Sequence, residues 1–110
     1  MRLKCSPLGS VTQATSKSTG VTLDNMCGQI TMNAASLAAT TSVSFTATCA
    51  NIDADDTVNI NIASGATASS YMLVVDAVAA GSFRVHLRNL TGGALAEALV
   101  LNYSIIKNFA

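Results

Sequence analysis

The chain is short, neutral overall and poor in ionisable side chains. Its 110 residues correspond to one domain, and its six basic and six acidic residues give a formal net charge of zero. Only 11% of the residues are charged, against about 25% in an average soluble domain. No stretch concentrates Lys or Arg, so the electrostatic attraction that dominates binding to nucleic acids and anionic membranes is missing. We expect neither as a partner.

The first nine residues differ from the rest of the chain. Met1–Gly9 contains the only proline, Pro7, and the positive charges of Arg2 and Lys4. No apolar run follows these charges, so the segment is not predicted to be a secretion signal, and we expect the protein to be made in a cytoplasm. The pattern predicts an N-terminal arm over residues 1–9, which contacts a neighbouring chain, and one domain over residues 10–110.

Beyond the arm, apolar and polar residues alternate with a period of two, and turn residues separate the short runs. This pattern predicts an all-β fold: an antiparallel β-sandwich of seven to eight short strands, either jelly-roll or immunoglobulin-like. Two alanine-rich segments, Ala34–Ala39 and Ala94–Ala98, are long enough for a single helical turn only. The predicted strands are Val11–Thr15, Val21–Leu23, Gln29–Met32, Ser42–Cys49, Thr57–Ile62, Tyr71–Val78, Ser82–Asn89 and Ala98–Ile106.

Two of the predicted strands are apolar on both faces. Tyr71–Val78 has the composition of a central strand, and Ala98–Ile106 is equally apolar. A sandwich buries only one face of each strand, so the second face needs cover from the same chain or from another subunit. We therefore expect a closed homo-oligomer, and a trimer in particular. The predicted core residues are Val43, Phe45, Val58, Ile60, Leu73, Val75, Phe83, Val85, Leu87, Val100 and Ile105.

The only histidine lies on the polar side of a predicted strand. His86 alternates with Arg84 and Arg88, and the apolar residues between them point to the other face. A general base needs a carboxylate or a nucleophile beside it, whereas the strand period places two positive charges there. The pattern favours a contact surface for a neighbouring subunit.

Asp53, Asp55 and Asp56 form the only acidic cluster. Calcium binds several oxygen ligands from one loop, but the spacing lacks the closing Glu of the twelve-residue calcium loop. A solvated loop between strands is the favoured interpretation, and a calcium site remains an alternative.

The three cysteines, Cys5, Cys27 and Cys49, are odd in number and form no CxxC pair. Their spacing predicts neither a disulfide framework nor a zinc site. Cys27 and Cys49 are predicted to be small core residues, and whether any cysteine pairs is left open. No nucleophile elbow, phosphate loop or dinucleotide motif is present, so we expect no enzymatic activity, cofactor or metal.

Ser10–Lys107 resembles a module that recurs in virion-associated proteins of tailed bacteriophages. The likeness is carried by five segments: Gly9–Leu23, Gly28–Ala35, Ser42–Thr46, Val78–Val85 and Arg88–Gly93. The resemblance implies a structural building block of fibres and particle surfaces, without catalytic residues. It also implies a virion protein that is made in the host bacterial cytoplasm.

Small size, neutrality and the arm then favour a capsid decoration (cement) protein, which binds capsid subunits and itself. The alternative is a head-fibre or tail-fibre tip that contacts the host surface. A glycan hydrolase needs paired carboxylates across a cleft, and Asp76 and Glu97 have no evident partner in the sequence. The residues predicted to contact another subunit or the capsid are Arg2, Lys4, Pro7, Arg84, His86 and Arg88.

Overall fold

The computed structural model describes residues 9–108, which form eight β-strands and no helix. Each of the eight predicted strands has a counterpart, so the all-β prediction is confirmed. The strands are β1 (Gly9–Thr12), β2 (Val21–Thr22), β3 (Cys27–Thr31), β4 (Ser42–Thr48), β5 (Thr57–Ser64), β6 (Tyr71–Ala79), β7 (Ser82–Asn89) and β8 (Val100–Ile106).

The strands form two four-stranded sheets of mixed direction. The first sheet has the order β1-β3-β8-β5, and the second has the order β2-β4-β7-β6. The expectation of purely antiparallel sheets is wrong at one edge of each, because β1 pairs with β3 and β2 pairs with β4 in parallel. The other pairs are antiparallel.

The parallel pairs follow from the path of the chain. Strands β1 to β4 alternate between the two sheets, so two connections separate each pair of strands that meet in one sheet. Two reversals restore the original direction, which makes β1 parallel to β3 and β2 parallel to β4. A period-two pattern reports which face of a strand is buried, but it carries no information about the direction of the neighbouring strand.

One hydrophobic core lies between the inner faces of the two sheets. Ile30 and Leu101 reach it from the first sheet, and Phe45 and Val85 reach it from the second. The ring of Phe83 in β7 lies 6.0 Å from the ring of Tyr103 in β8, measured between centroids, with 51° between their planes. Phe45 and Phe83 are 3% and 1% exposed, which confirms the predicted face of β4 and β7.

One detail of the predicted core is wrong. On β8 the buried side chains are Leu101, Tyr103 and Ile105, whereas Val100 has the opposite parity and is only half-buried. An apolar run without alternation does not reveal which parity faces inward. The remaining half-buried members of the predicted core pack against its margin; they are Val43, Val58, Ile60, Leu73 and Val75.

The position of β6 also differs from the prediction. The apolar composition of Tyr71–Val78 indicated a central strand, but β6 lies at the edge of the second sheet. Its outward side chains Met72 and Val74 are consequently 52% and 45% exposed. By contrast β8, the other strand that is apolar on both faces, lies between β3 and β5.

The two alanine-rich segments form an extended contact instead of helical turns. Leu37 and Leu95 pair as an antiparallel bridge, with both backbone N–H···O bonds formed at 2.8 and 3.0 Å. Leu37 is buried in the core. Each segment therefore obtains its backbone hydrogen bonds from the other, which a six-residue helix could not supply internally.

The loop between β1 and β2 is held by two buried polar side chains that the sequence analysis did not single out. Lys17 is 3% exposed, and its ammonium donates to the backbone carbonyls of Asn33 and Glu97. Burial lowers the pKa of Lys17. Gln13 donates to the Lys17 and Thr19 carbonyls at 2.9 and 3.0 Å. A serine- and threonine-rich segment such as this reads as a solvated loop in the sequence.

Candidate interaction surface

The outward side of the second sheet carries the three contact residues predicted for β7. Phe83, Val85 and Leu87 are buried, so the alternating residues Arg84, His86 and Arg88 point away from the core. The other predicted contact residues, Arg2, Lys4 and Pro7, lie outside the described residues.

The pairing of β4, β7 and β6 arranges these side chains in cross-strand rows. Each row contains one hydroxyl residue from β4 and one basic residue from β7. From β4 to β6, the rows are Ser42–Arg88–Met72, Ser44–His86–Val74 and Thr46–Arg84–Asp76. Side chains directly opposite each other in such rows lie within contact distance, so the basic residues form the centre line of the face.

His86 has a carboxylate partner, contrary to the expectation from the sequence. Its Nε2 lies 2.8 Å from Oδ1 of Asp76 on β6. A carboxylate oxygen accepts a hydrogen bond from a ring N–H, so the contact forms a hydrogen bond when Nε2 carries a proton. The prediction considered only neighbours on the same strand, whereas Asp76 reaches His86 diagonally from the adjacent strand. The pair leaves Arg84 and Arg88 as the outward positive charges.

An apolar strip borders the basic centre line. Met72 stands beside Arg88 and Val74 stands beside His86, and both apolar side chains are about half exposed. On the opposite side of the line, Arg88 donates to Oγ of Ser42 at 3.3 Å. The face therefore combines apolar contact area with guanidinium donors, a mixture that is enriched at protein–protein interfaces.

The outward side of the first sheet has a different character. Its strands contain no charged residue, and amides and hydroxyls occupy most of the outward positions, with the apolar side chains of Val100 and Ile106 at the two ends of β8. Gln29 donates to Asn102 across β3 and β8 at 3.0 Å, and Asn61 lies next to Asn102 in the register. The two outward faces of the protein thus differ sharply in charge.

A small pocket of mixed polarity lies where the chain passes from β5 to β6. It has a volume of about 250 Å³ and is lined mainly by small and hydroxyl-bearing side chains: Ile62, Ala63, Ser64, Ala66, Thr67, Ala68, Ser69, Ser70 and Tyr71.

The carboxylate of Glu97 accepts hydrogen bonds from two residues of the pocket lining. Tyr71 Oη donates to Glu97 Oε1 at 2.7 Å, and Thr67 donates its hydroxyl to Oε2 at 2.8 Å. These hydrogen bonds lower the pKa of Glu97. The partners of the Glu97 carboxylate are these two hydroxyl groups and the backbone N–H of Thr67. Its carboxylate is an ionised acceptor that holds the loop in place.

Two of the three carboxylates in the acidic loop contact a lysine that follows the last strand. The ammonium of Lys107 donates to Asp53 Oδ2 at 2.8 Å and to Asp56 Oδ2 at 2.6 Å. Asp56 is buried, which the expectation of a solvated loop did not foresee. Within residues 9–108, no group of three or more His, Cys, Asp and Glu side chains is arranged to hold a metal ion. The calcium alternative placed a cation at the carboxylates of this loop. In the structure, the ammonium of Lys107 contacts two of these carboxylates.

The cysteines behave differently from one another. Cys49 is buried in the core with a free thiol, as predicted for a small core residue. Cys27 is buried and is bonded in a disulfide. The expectation that Cys27 is only a packing residue is therefore wrong, since spacing along the chain does not report proximity in the fold.

None of the described segments is a helix with the length and hydrophobicity that a membrane crossing requires. No known protein family, curated protein or solved structure matches the chain.

Proposed function

We propose that the protein is a non-enzymatic structural component of a tailed-phage particle, a capsid decoration protein that binds capsid subunits through the outward face of its second sheet. The observation that carries the contact assignment is the juxtaposition of Arg84 and Arg88 with the exposed side chains of Met72 and Val74. The assignment to a phage particle rests on the resemblance of Ser10–Lys107 to virion modules.

The low charge of the chain supports a role in a lattice. Six acids and six bases in 110 residues give little repulsion between copies packed at high density. We propose that the protein also associates with itself, and that its two facing sheets form a sandwich of the jelly-roll or immunoglobulin-like kind. Their antiparallel centres and shared core support this assignment.

A decoration protein stabilises a shell by mass action. It binds the assembled lattice and not the free capsid subunit, so each bound copy adds its binding free energy to the assembled state. The basic centre line would supply charge-assisted hydrogen bonds to carboxylates of the capsid, and Met72 and Val74 would supply apolar burial. No step of this role requires a cofactor.

The test is reconstitution on particles from which the protein has been removed. Purified protein is added back, binding is measured by co-sedimentation, and shell stability is measured by heating. We expect the protein to raise the temperature of shell disruption. The double variant Arg84→Glu/Arg88→Glu should bind at least tenfold more weakly, because it reverses the outward charge of the face.

A matched control places the same charges on the other face. Asn59→Glu/Asn61→Glu introduces two acids at exposed, outward positions of β5, and it should bind as the unchanged protein does. The decoration role would be refuted if stripped particles were as stable as complete ones. The assigned face would be refuted if the arginine variant bound normally.

The alternative function is a head-fibre or tail-fibre tip that contacts the host surface. The pocket beside Tyr71 favours it, because convergent hydroxyl groups around a concavity are typical of ligand sites. The discriminating measurement is binding of the purified protein to host cells in competition with phage adsorption. Competition that is lost in Ala68→Trp, which adds bulk at an exposed residue of the pocket lining, supports the tip. Absence of competition contradicts it.

A further inference from the structure

Within residues 9–108, strand β6 pairs with β7 on one side and has no strand paired to its other edge. In an antiparallel ladder, the residues of one strand alternate between bonding the partner strand and pointing their backbone groups away from it. Leu90 N–H donates to the Ser70 carbonyl at 2.8 Å, and the register continues from this pair through Tyr71–Asn89 and Met72–Arg88. Ser70, Met72, Val74 and Asp76 therefore bond β7.

The backbone groups of Tyr71, Leu73 and Val75 consequently point away from β7 toward the free edge. In the described part of the chain, β6 is the last strand of its sheet. Natural edge strands are usually protected by lysines, prolines, bulges or a covering segment. The stretch from Tyr71 to Asp76 contains no lysine, no proline and no bulge, because the register shift falls between Asp76 and Ala79.

The side chains on this edge are apolar on both sides of the sheet. Met72 and Val74 are about half exposed on the outward side. On the inward side, Leu73 and Val75 are half-buried at the margin of the core. Asp76 is the only charged residue of the stretch, and it stands at one end.

We propose that β6 pairs with β6 of a second copy of this chain, antiparallel and about a two-fold axis at Leu73. This register places Leu73 opposite Leu73 of the second copy, and Tyr71 opposite Val75. Each of these pairs has both backbone groups directed at the edge, so each exchanges two N–H···O bonds. On the outward side, Met72 of one copy meets Val74 of the other.

The register is set by self-complementarity and by charge. An axis at Leu73 brings the two apolar strips side by side on the outward face, where Met72 of one copy contacts Val74 of the other laterally and both keep their outward surface. The two Asp76 carboxylates then lie at opposite ends of the paired segment, whereas an axis close to Asp76 would place them face to face. Pairing ends at Ala77, where the backbone turns left-handed with φ 52° and the ladder shifts.

This symmetric pairing joins the second sheet of one copy to the second sheet of the other, which gives one continuous eight-stranded sheet. The contact closes on itself, so it yields a dimer and not a filament. It also yields even-numbered assemblies, in contrast to the trimer expected from the sequence, and a mass measurement distinguishes the two. The pairing is a property of the isolated chain and does not depend on the proposed binding to a particle.

The first test is sedimentation equilibrium of the purified chain, without any particle component, from micromolar to millimolar concentration. We expect a monomer–dimer equilibrium. Val74→Lys should raise the dimer dissociation constant at least tenfold, because it places an ammonium inside the apolar strip. Thr12→Lys, the matched change at an exposed position of β1, an edge strand on the opposite side of the sandwich from β6, should leave the constant unchanged.

The second measurement reads the backbone directly. Amide hydrogen exchange of Leu73 and Val75 should slow as the protein concentration rises, whereas the Val74 amide, bonded to β7, should be protected at every concentration. Circular dichroism and a denaturation curve of Val74→Lys establish that the monomer is folded.

The outcomes separate this proposal from the proposed function. A folded monomer up to millimolar concentration, a trimer, or a dimer that Val74→Lys leaves intact would each overturn the β6 pairing. None of these results bears on whether the protein co-sediments with stripped particles, so failure of one proposal is not failure of the other.

Discussion

Lys107 Nζ lies 2.6 Å from Oδ2 of Asp56, an ion pair between the end of the last strand and the loop before β5. The two residues are 51 positions apart. Asp56 Oδ2 also accepts a hydrogen bond from the backbone N–H of Asp53 at 2.8 Å. These contacts attach the acidic loop to the segment that follows β8. Because they require an ionised Asp56, they make the free energy of unfolding dependent on pH.

The carboxylates of Asp56 and Glu97 predict a loss of stability at low pH. The hydrogen bond from Lys107 lowers the pKa of Asp56, and the hydrogen bond from Tyr71 lowers the pKa of Glu97. A carboxyl group whose pKa is lowered by folding stabilises the fold above its ordinary pKa, and this contribution is lost as pH falls through the lowered value. We expect the urea midpoint to be flat from about pH 5 to about pH 9 and to fall between about pH 5 and pH 2.

The matched comparison is Asp56→Asn/Glu97→Gln. This variant should be less stable at neutral pH, and its urea midpoint should change less with acid, since two of the responsible carboxyl groups are gone. An acid response equal to that of the unchanged protein would contradict the assignment. The pKa of Lys107 is raised by Asp53 and Asp56, so its contribution should persist below the ordinary lysine pKa and disappear above it.

We predict that the side chain of Asn89 holds the loop between β7 and Leu95 in place through its hydrogen bonds. It is fully buried, donates to the carbonyls of Leu37 and Gly93 at 3.0 and 2.9 Å, and accepts from the Thr91 N–H and hydroxyl. Asn89→Ala should lower the free energy of unfolding by about 3 kcal/mol or more, because several buried groups lose their partners. Urea denaturation measures the loss.

The control for this variant is Asn61→Ala. Asn61 is exposed on β5, and its substitution should change stability by less than about 0.5 kcal/mol. Equal losses at the two positions would show that the buried hydrogen bonds of Asn89 contribute no more than an exposed amide.

The buried phenylalanine rings should contribute strongly to the free energy of unfolding through their packing in the core. Phe83→Ala removes a ring that is 1% exposed and contacts Tyr103, and Phe45→Ala removes the corresponding ring of β4. Each should cost about 3–5 kcal/mol in unfolding free energy. Leu90→Ala, at a side chain that is 45% exposed, should cost under about 1 kcal/mol. A small loss in both phenylalanine variants would contradict the arrangement of the core.

Ala77 carries backbone strain that glycine should relieve. Its φ of 52° lies in the left-handed region, which costs a residue with a Cβ atom about 1–2 kcal/mol. Ala77→Gly should therefore raise the unfolding free energy by about 1 kcal/mol. Ala79→Gly, in the same strand without a positive φ, should lower it by about 0.5–1 kcal/mol. Destabilisation by both changes would show that the strain is absent in solution.

Thiol titration tests the state of the cysteines. The chain has three cysteines, of which Cys27 is in a disulfide and Cys49 is free and 1% exposed. The native protein should not react with a thiol reagent. Denatured without reductant it should show one thiol per chain, and after reduction three. Three reactive thiols before reduction would contradict the disulfide.

The sequence by itself determined the strands and most of their inner faces. Val43, Phe45, Phe83 and Val85 could be assigned because their strands alternate strictly, and a period of two leaves one parity for the core. The outward direction of Arg84, His86 and Arg88 followed from the same alternation. These features depend on local pattern alone, which is why they were predictable.

Only the tertiary structure decided which strands meet and which distant side chains pair. The alternation of polar and apolar residues does not report which segments become neighbours in the fold. The contacts that depend on this are Asp76 with His86, Lys107 with Asp56, and Lys17 with the carbonyl of Glu97. Strand direction and edge position are likewise properties of the assembled sheets. For this reason β6, apolar on both faces, was predicted to be central and lies at an edge, where its exposed side chains are available to a partner.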